Sequence, residues 1–236
     1  METFLLIHGA FHGGWCWQLL ADCLVKAGHR VYTPTLAGLG ERAQMDPQTI
    51  NLDTHIEDVC AAIESNDLRK VTLVGHSYGG MPITGAADRM PDRIQTIIYL
   101  DAMIPQNGKS ALDIRYPFQT PFPQPNKLGL IEPIPASAFN VDGALGEWVD
   151  HQLTPQPVMT VTQPIQLTGH RLNIQKKIYI RAKGYNAPYF DRFFKERSSD
   201  PTWITFLRPW GHDMMITNPK ELAQLLIDIL SSKAKP

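Results

Sequence analysis

The sequence predicts an α/β fold, in which a mostly parallel sheet of about six strands carries helices on both faces. Segments typical of strands and of helices alternate along the 236 residues, as they do when parallel strands are joined by crossover helices. Two segments carry apolar residues at the three-and-four spacing of a helix that buries one face. These positions are Leu52, Ile56, Val59, Cys60 and Ile63, and then Leu222, Leu225, Leu226, Ile229 and Leu230. A chain of this length can bury a substantial core as one domain.

The chain begins with an apolar run, Thr3–Ile7, that is typical of a buried strand. This run leads into a glycine-rich loop with the sequence HGAFHGGW at residues 8–15. Because glycine has no Cβ atom, such a loop can lie close to a reacting group. An ordinary turn between a strand and a helix would also explain the glycines. It would not explain why a nucleophile motif occurs later in the same chain.

That motif is the sequence GHSYG at residues 75–79, which matches G-x-S-x-G. A strand-forming run precedes it and helix-compatible sequence follows, as in a nucleophile elbow. The turn of an elbow is so tight that side chains at its glycine positions would collide with backbone, and it lifts the serine hydroxyl off the sheet. The match also occurs by chance in Gly/Ser turns, but its context favours Ser77 as a nucleophile. The oxyanion-hole amides would then come from Tyr78, after the serine, and from Ala10 in the early loop.

His212 is the candidate general base. It follows the strand-like segment 202–207 and precedes the last predicted helix. Imidazole is suited to proton transfer near neutral pH, and in hydrolases with an elbow the base comes last in chain order. The chain has eight histidines, and a lone histidine in a loop is usually solvated or structural. His76 lies beside the serine but is expected to point away from it, so that only His212 fits in both position and order.

Residues 105–170 interrupt the alternation of strands and helices and contain ten prolines. A segment of this length without a clear strand is either a lid or disordered, and this one is too apolar for disorder. We therefore predict a core at 1–104 and 171–236, with a cap at 105–170 above the serine. Such a cap would exclude water and form an apolar pocket. The candidate pocket residues are Phe11, Met103, Phe118 and Trp148.

The glycine-rich loop, the elbow, the strand at 177–180, the segment 211–213 and the helix at 222–229 resemble those of the α/β-hydrolase superfamily. They are most similar to the group that holds plant methylesterases, hydroxynitrile lyases and related bacterial carboxylesterases. The resemblance covers nearly the whole chain. It implies an α/β-hydrolase fold with a cap inserted between two strands, and a catalytic triad.

The acid of that triad is where the sequence departs from the family. The family usually carries an aspartate just after the strand at 177–181, but residues 182–188 contain no carboxylate. Two alternatives remain. Asp101 ends the strand-like segment 94–100, a position where some α/β-hydrolases carry their acid, and Asp191 lies on the following helix. We favour Asp101, because a carboxylate at the end of a strand is well placed to orient an imidazole.

Two further positions separate esterases from lyases in this group. The plant lyases carry threonine after the first histidine of the loop and lysine after the catalytic histidine, and that lysine stabilises the departing cyanide. This sequence has Gly9 and Asp213 there. A carboxylate beside the leaving group would repel cyanide. The sequence therefore resembles the esterase branch.

The composition excludes several other classes of function. The net charge is −1, which favours neither nucleic acid nor an acidic membrane surface as a partner. No apolar run approaches the ~18–20 residues of a membrane span, and the N-terminus does not resemble a signal peptide. The three cysteines, Cys16, Cys23 and Cys60, form no CxxC pair and indicate reduced thiols in a cytoplasmic protein. Formation of a homodimer stays open.

Together these observations predict a serine carboxylesterase for a small, largely apolar ester, acting through Ser77, His212 and Asp101. No metal or organic cofactor is needed, and His8 and His12 lack a third ligand for zinc. One alternative is another reaction on the same fold, namely cyanohydrin cleavage, C–C bond hydrolysis or cofactor-free oxygenation. The other is a non-catalytic, ligand-binding homologue, which the missing aspartate favours and the intact serine and histidine oppose.

Overall fold

A computed structural model gives the structure of the protein, and it describes residues 1–115 and 124–231. Its centre is a sheet of six parallel strands in the spatial order β2-β1-β3-β4-β7-β8. The strands of this sheet are β1 (Thr3–Ile7), β2 (Arg30–Tyr32), β3 (Val71–His76), β4 (Ile94–Leu100), β7 (Lys176–Ala182) and β8 (Trp203–Arg208). The short strands β5 (Leu130–Ile131) and β6 (Gln156–Pro157) form a separate antiparallel pair. The prediction of a parallel sheet of about six strands is therefore confirmed.

Helices connect the strands of the main sheet. They are α1 (Gln18–Lys26), α2 (Leu52–Ser65), α3 (Gly80–Arg89), α4 (Ala111–Arg115), α5 (Gly143–Gln152), α6 (Val158–Thr162), α7 (Pro188–Ser198), α8 (Met214–Thr217) and α9 (Pro219–Leu230). The helices α4, α5 and α6, with β5 and β6, fall in the proline-rich segment predicted as a cap. Within the described part of the chain, no helix combines the length and the apolar character that crossing a membrane requires.

The order of the strands explains the position of helices on both faces. From β1 the chain moves outward to β2 and then returns past β1 to β3. Crossover connections in parallel sheets are right-handed, so connections that run in opposite directions place their helices on opposite faces. Every residue of β1 and of β3 is buried, as expected for central strands covered on both sides.

The same reversal of strand order creates a crevice at the carboxyl ends of β1 and β3, which is where open α/β sheets bind ligands. The register aligns Ile7 of β1 with Gly75 of β3, and His76 with Leu100 of β4. Because the strands are parallel and end at the same level, the segments that follow them meet at one edge. The glycine-rich loop, Ser77 and Asp101 are therefore brought together by topology.

Candidate active site

Three side chains form a continuous hydrogen-bonded line at this edge of the sheet. The Ser77 hydroxyl lies 2.9 Å from Nε2 of His212, and Nδ1 of His212 lies 2.6 Å from Oδ2 of Asp101. A carboxylate only accepts hydrogen bonds, so the ring proton of His212 is on Nδ1 and Nε2 is left to accept from the serine. This arrangement allows His212 to remove the proton of Ser77 as the hydroxyl attacks a carbonyl.

The geometry of the turn at Ser77 explains the glycines on either side. Ser77 has a φ of 54°, in the left-handed region that non-glycine residues seldom adopt. A Cβ atom on Gly75 would lie 2.7 Å from the carbonyl oxygen of Gly79, and one on Gly79 would lie 2.6 Å from that of Ile7. Neither position has room for a side chain. The strained serine is thus held by close backbone packing of the elbow against β1.

Asp101 is held by groups from β7 as well as by His212. It follows β4 with a φ of 44°, and it is fully buried. Its Oδ1 accepts hydrogen bonds from Nη1 of Arg181 at 2.9 Å and from the backbone amide of Ala182 at 3.0 Å. Both donors come from the end of β7, next to the place where the family usually carries its acid. The structure therefore brings Asp101, and not Asp191, to the imidazole.

Arg181 also explains where Asp191 lies. Nε of Arg181 donates to Oδ1 of Asp191 at 2.8 Å, so the two aspartates considered from the sequence bind the same guanidinium. The Arg181 side chain is 1% exposed, whereas that of Asp191 is 62% exposed. Sequence reasoning missed Arg181. The available signal was a charged residue at the carboxyl end of the strand, directly after the apolar run 178–180, because a charge buried there requires a partner.

Aromatic rings fix the plane of the His212 imidazole. The ring of Tyr185 stacks on it with centroids 4.2 Å apart, and the centroid of the Phe190 ring lies 5.5 Å from that of His212. The His76 ring lies on another side of the His212 imidazole, with the two ring centroids 4.5 Å apart. Nε2 of His76 donates to the backbone carbonyl of His212 at 3.1 Å. These contacts restrict rotation of the base. Tyr185, in the segment where the family usually has its aspartate, is a second residue that the sequence analysis missed.

Residues of the segment predicted as a cap bind the glycine-rich loop. The backbone amide of Phe11 donates to Oε1 of Gln156 at 3.1 Å, and the carbonyl of Phe11 accepts from the amide of Thr154 at 2.9 Å. Gln156 is fully buried, which makes its amide group a well-defined acceptor. Phe11 itself has a φ of 67°. The loop therefore owes its shape to residues far away in sequence.

The two amides predicted for the oxyanion hole lie in suitable segments. The backbone amide of Ala10 donates to no other described residue. That of Tyr78 belongs to the first turn of the helical segment after Ser77, where amides have no partner within the helix. The Tyr78 side chain points elsewhere, with its hydroxyl 2.9 Å from Nδ1 of His55. Burial lowers the pKa of His55 to about 4, so this ring is a neutral acceptor for the tyrosine.

A cavity opens beside Ser77 and His212, and its walls come from both the core and the cap. Of the four predicted pocket residues, Phe11 and Met103 line it. Phe118 lies outside the described residues. Trp148 does not line the cavity: it is 41% exposed, and its ring packs edge-on against Trp15 at 5.3 Å. The lining residues that the prediction missed include Leu112, Arg115, Ile131, Ile134, Phe139, Gln156, Val161, Tyr185 and Tyr189.

Asp213 is not beside the leaving group, and this part of the sequence argument against a lyase was wrong. Its side chain is fully buried, and it is not among the residues that line the cavity. Its Oδ2 instead binds Nε2 of His12 at 3.1 Å. Adjacent residues in a chain need not face the same space, since the backbone turns between His212 and the helix α8. The carboxylate therefore does not face the cavity, and its charge is paired with the His12 imidazole.

Three potential metal ligands cluster at this site within the described ranges. Ligating atoms of His76, His212 and Asp213 all lie within 4.8 Å of one another. Hydrogen bonds account for the arrangement without an ion. Both ring nitrogens of His212 are used by Ser77 and Asp101, and Nε2 of His76 donates to a carbonyl. His212 could coordinate a metal only by breaking its bond to Ser77 or its bond to Asp101.

Comparison with known proteins agrees with this fold. A model of the alpha/beta hydrolase family matches residues 4–225. The carbendazim hydrolyzing esterase of Nocardioides sp. (strain SG-4G) is 40% identical, over 96% of this chain and 98% of that protein. Methylesterase 10 of Arabidopsis thaliana is 28% identical, over 97% of this chain and 92% of that protein. The resemblance inferred from the sequence motifs is confirmed.

Comparison with solved structures also identifies an alpha/beta-hydrolase fold. An extracellular alpha/beta-hydrolase from a Paenibacillus species, described as sharing structural and functional homology with tobacco salicylic acid binding protein 2, superposes with a TM-score of 0.80. It is 26% identical and covers 97% of this chain, which covers 98% of it. The Arabidopsis α-hydroxynitrile lyase is 36% identical, but over only 43% of this chain. The carbendazim hydrolyzing esterase and Methylesterase 10, by contrast, match nearly the whole chain.

Proposed function

This chain belongs to the alpha/beta hydrolase family and is an enzyme of its esterase type, and we propose that it is a serine carboxylesterase acting through Ser77, His212 and Asp101. One observation carries the proposal. A serine held at a φ of 54° faces the cavity, and hydrogen bonds of 2.9 and 2.6 Å link it through His212 to a buried carboxylate. This is the geometry that an acyl-enzyme mechanism requires.

The proposed reaction has two steps. In the first, Ser77 attacks the ester carbonyl while Nε2 of His212 takes the hydroxyl proton, and the amides of Ala10 and Tyr78 bind the developing oxyanion. Collapse of that intermediate releases the alcohol, which receives its proton from His212. In the second step, water attacks the acyl-enzyme with His212 again as the base. Asp101 remains ionised throughout and stabilises the imidazolium form.

The lining of the cavity supports a small, largely apolar ester as the substrate. Most of the lining side chains are aliphatic or aromatic, among them Met103, Ile131, Ile134 and Phe139. Polar side chains also line the cavity, among them Gln156, Arg115 and His12, and Gln156 is already bound to the glycine-rich loop. Apolar walls with a few polar groups favour ligands whose affinity comes mainly from burial of carbon. Carbendazim, the compound named for the 40% identical relative, is therefore a natural first substrate to assay beside simple esters.

The proposal also covers the domain organisation, the cofactor requirement, the location and the oligomeric state of the protein. Residues 105–170 act as a cap on a core made of 1–104 and 171–236, since residues from both parts line the cavity. Catalysis requires no cofactor, because the proposed steps involve only proton transfer and acyl transfer. The cysteines Cys16, Cys23 and Cys60 are unpaired, which supports a cytoplasmic location. Homodimer formation stays a prediction.

The experiment that tests the proposal compares wild type with Ser77→Ala on p-nitrophenyl acetate, p-nitrophenyl butyrate and carbendazim. We expect wild type to turn over at least one of them and the variant to lose about 10⁴-fold or more in kcat. Ser199→Ala is the matched control, because Ser199 is exposed at the end of α7 and should leave kcat unchanged. A fluorophosphonate probe should label wild type on Ser77.

Other outcomes would contradict the proposal. If folded wild type neither hydrolyses these esters nor reacts with the probe, the chain is not a serine carboxylesterase. Release of cyanide from a cyanohydrin, with no ester hydrolysis, would favour a lyase on the same fold. Saturable ligand binding without probe labelling would favour a non-catalytic homologue.

A further inference from the structure

A second histidine lies buried close to the proposed reaction centre and has no role in the steps above. His12 belongs to the same glycine-rich loop as Ala10 and is almost fully buried. Its Nδ1 is 2.8 Å from the carbonyl oxygen of Ala10, and its Nε2 is 3.1 Å from Oδ2 of Asp213. A carbonyl and a carboxylate both only accept hydrogen bonds. His12 must therefore carry protons on both nitrogens to make both contacts, and it is a buried imidazolium.

Asp213 supplies the charge that makes this possible. It occupies the N-cap position of α8, but its side chain makes no capping hydrogen bond and binds His12 instead. Its other oxygen, Oδ1, makes no hydrogen bond to a described residue and is 3.8 Å from Nε2 of His76. Burial disfavours a charge unless it is paired. His12 therefore stays protonated only while Asp213 is ionised, and Asp213 stays ionised only while His12 is protonated.

The pKa shifts agree with the geometry. Burial alone would lower the pKa of His12, but the Asp213 carboxylate and the Ala10 carbonyl raise it above its ordinary value. Burial would raise the pKa of Asp213, but His12, with smaller contributions from His76 and His212, lowers it. The other two imidazoles that face His12 stay neutral, since burial lowers the pKa of His8 to about 3 and that of His76 well below its usual value.

The contact with Ala10 places this ion pair next to the oxyanion hole. The neutral His8 ring donates from Nδ1 to the carbonyl of Gly9 at 2.9 Å, while its Nε2 accepts from the amide of Leu36 at 3.0 Å. The carbonyl of Gly9 shares its peptide plane with the amide of Ala10. His12 holds the next peptide plane through the Ala10 carbonyl. Two histidines thus orient the peptide groups on both sides of Ala10, and the amide that they leave without a partner is the proposed oxyanion donor.

We propose that the buried His12–Asp213 ion pair is a positioning device for the oxyanion hole, which couples the loop that carries the Ala10 amide to the loop that carries His212. This inference rests on the proposed esterase function and identifies two positioning residues for it. Asp213 follows His212 directly in the chain, so its bond to His12 ties the base and the oxyanion donor together. Asp213 does not line the cavity, whereas His12 does. In this proposal His12 acts on the reaction through the Ala10 carbonyl and does not contact the reacting atoms.

Two variants test the pair, each with a matched control. Asp213→Asn keeps the shape of the side chain but removes its charge, and His12→Gln removes the imidazolium. Asp142→Asn and His151→Gln are the controls, because both residues are exposed on the cap. We expect kcat on a p-nitrophenyl ester to fall by about 10- to 100-fold in both variants, less than the loss of an entire oxyanion donor. KM should stay within about threefold, because the carbonyl charge develops only in the transition state.

A transition-state analogue separates positioning from a merely structural role. A trifluoromethyl ketone forms an oxyanion with the serine, and the matching methyl ketone does so poorly. The Ki of the trifluoromethyl ketone should rise by the same factor as kcat falls, while the Ki of the methyl ketone stays unchanged. Loss of folded protein alone would lower the active fraction and leave both Ki values of the remaining enzyme unchanged. That result would overturn the proposal.

The pH dependence provides another readout. As pH rises through the pKa of His12, its second proton is lost and the pair breaks, so wild-type kcat should fall on the alkaline side. In Asp213→Asn this fall should begin at lower pH, because the carboxylate that raises the pKa of His12 is gone. The ¹⁵N spectrum of the histidine rings should show His12 doubly protonated at pH 7.5 in wild type, and neutral in Asp213→Asn.

The outcomes distinguish this inference from the proposed function. An active wild type whose Asp213→Asn variant keeps kcat within threefold, or whose His12 ring is neutral at pH 7.5, overturns the positioning role alone. A wild type inert to esters and to the fluorophosphonate probe overturns the proposed function and this inference together. Parallel losses in kcat and trifluoromethyl ketone affinity support both.

Discussion

Replacing Asp101 with asparagine should reverse the tautomer of the catalytic base, because the surroundings of the carboxylate fix which way an amide must face. Oδ1 of Asp101 receives two donors, Nη1 of Arg181 at 2.9 Å and the amide of Ala182 at 3.0 Å. In Asp101→Asn, only the amide oxygen can occupy that position without placing donors against donors. The NH₂ group is then left facing Nδ1 of His212, which lies 2.6 Å from Oδ2 in the wild type.

The consequence for catalysis follows directly. With an NH₂ group opposite, Nδ1 of His212 must accept a hydrogen bond, and the ring proton moves to Nε2. Nε2 then faces Ser77 with a proton and cannot take another. We expect kcat to fall by about 10³- to 10⁴-fold, as when a triad base is held in the wrong tautomer, which corresponds to about 4–5.5 kcal/mol of barrier.

The assay is kcat and kcat/KM on the ester that wild type hydrolyses best, with the folded state of each variant checked by circular dichroism. Asp191→Asn is the matched control, because Asp191 binds the same Arg181 but is itself exposed and makes no hydrogen bond to His212. We expect less than a threefold change in that variant. Turnover of Asp101→Asn within tenfold of wild type, or an equal loss in Asp191→Asn, would refute the assignment of Asp101 as the triad acid.

Two predictions concern stability rather than turnover. Asp88 is buried, and burial alone would raise its pKa, but backbone amides at 168, 169 and 171 bind it and lower its pKa. A lowered carboxylate pKa contributes stability above the unfolded value near 3.8 that is lost as pH falls. Urea unfolding should therefore show Asp88→Ala less stable than wild type by about 2–4 kcal/mol at pH 7, and by clearly less at pH 3; an equal difference at both would contradict this. Gly80→Ala would place a Cβ 2.0 Å from the carbonyl oxygen of Met103, and should cost about 2–4 kcal/mol in the same assay. A cost below about 1 kcal/mol would mean that the contact relaxes easily.

The parts of the site that could be predicted from the sequence are those encoded over a few consecutive residues. The elbow at 75–79 requires glycine at two positions because backbone passes within 2.7 Å of where their Cβ atoms would lie. The loop at 8–15 and the segment around His212 are similarly local. Their meeting point follows from the parallel order of the strands, since the ends of β1, β3 and β4 lie at one edge. Local sequence patterns and the order of the strands were therefore sufficient to predict these three segments and the edge at which they meet.

Side-chain direction was the information that the sequence lacked. Asp213 was expected beside the leaving group because it is adjacent to His212, but it points to His12. Trp148 was expected in the pocket because it is large and apolar, but it packs on Trp15 near the surface. Polar residues that shape the site, such as Gln156, are unremarkable in sequence. Their role depends on partners more than a hundred positions away.

The sequence by itself determined the fold and identified the proposed nucleophile and base, because strand periodicity, a steric requirement for glycine and chain order each act over short stretches or through a general rule of parallel sheets. The choice of the proposed acid depended on the tertiary structure. Asp101 and Asp191 both bind the buried Arg181, and they differ in that Asp101 is itself buried beside His212 whereas Asp191 is 62% exposed. The packing between β4, β7 and the segment after β8 determines which carboxylate contacts the imidazole. This packing cannot be read from a local sequence pattern.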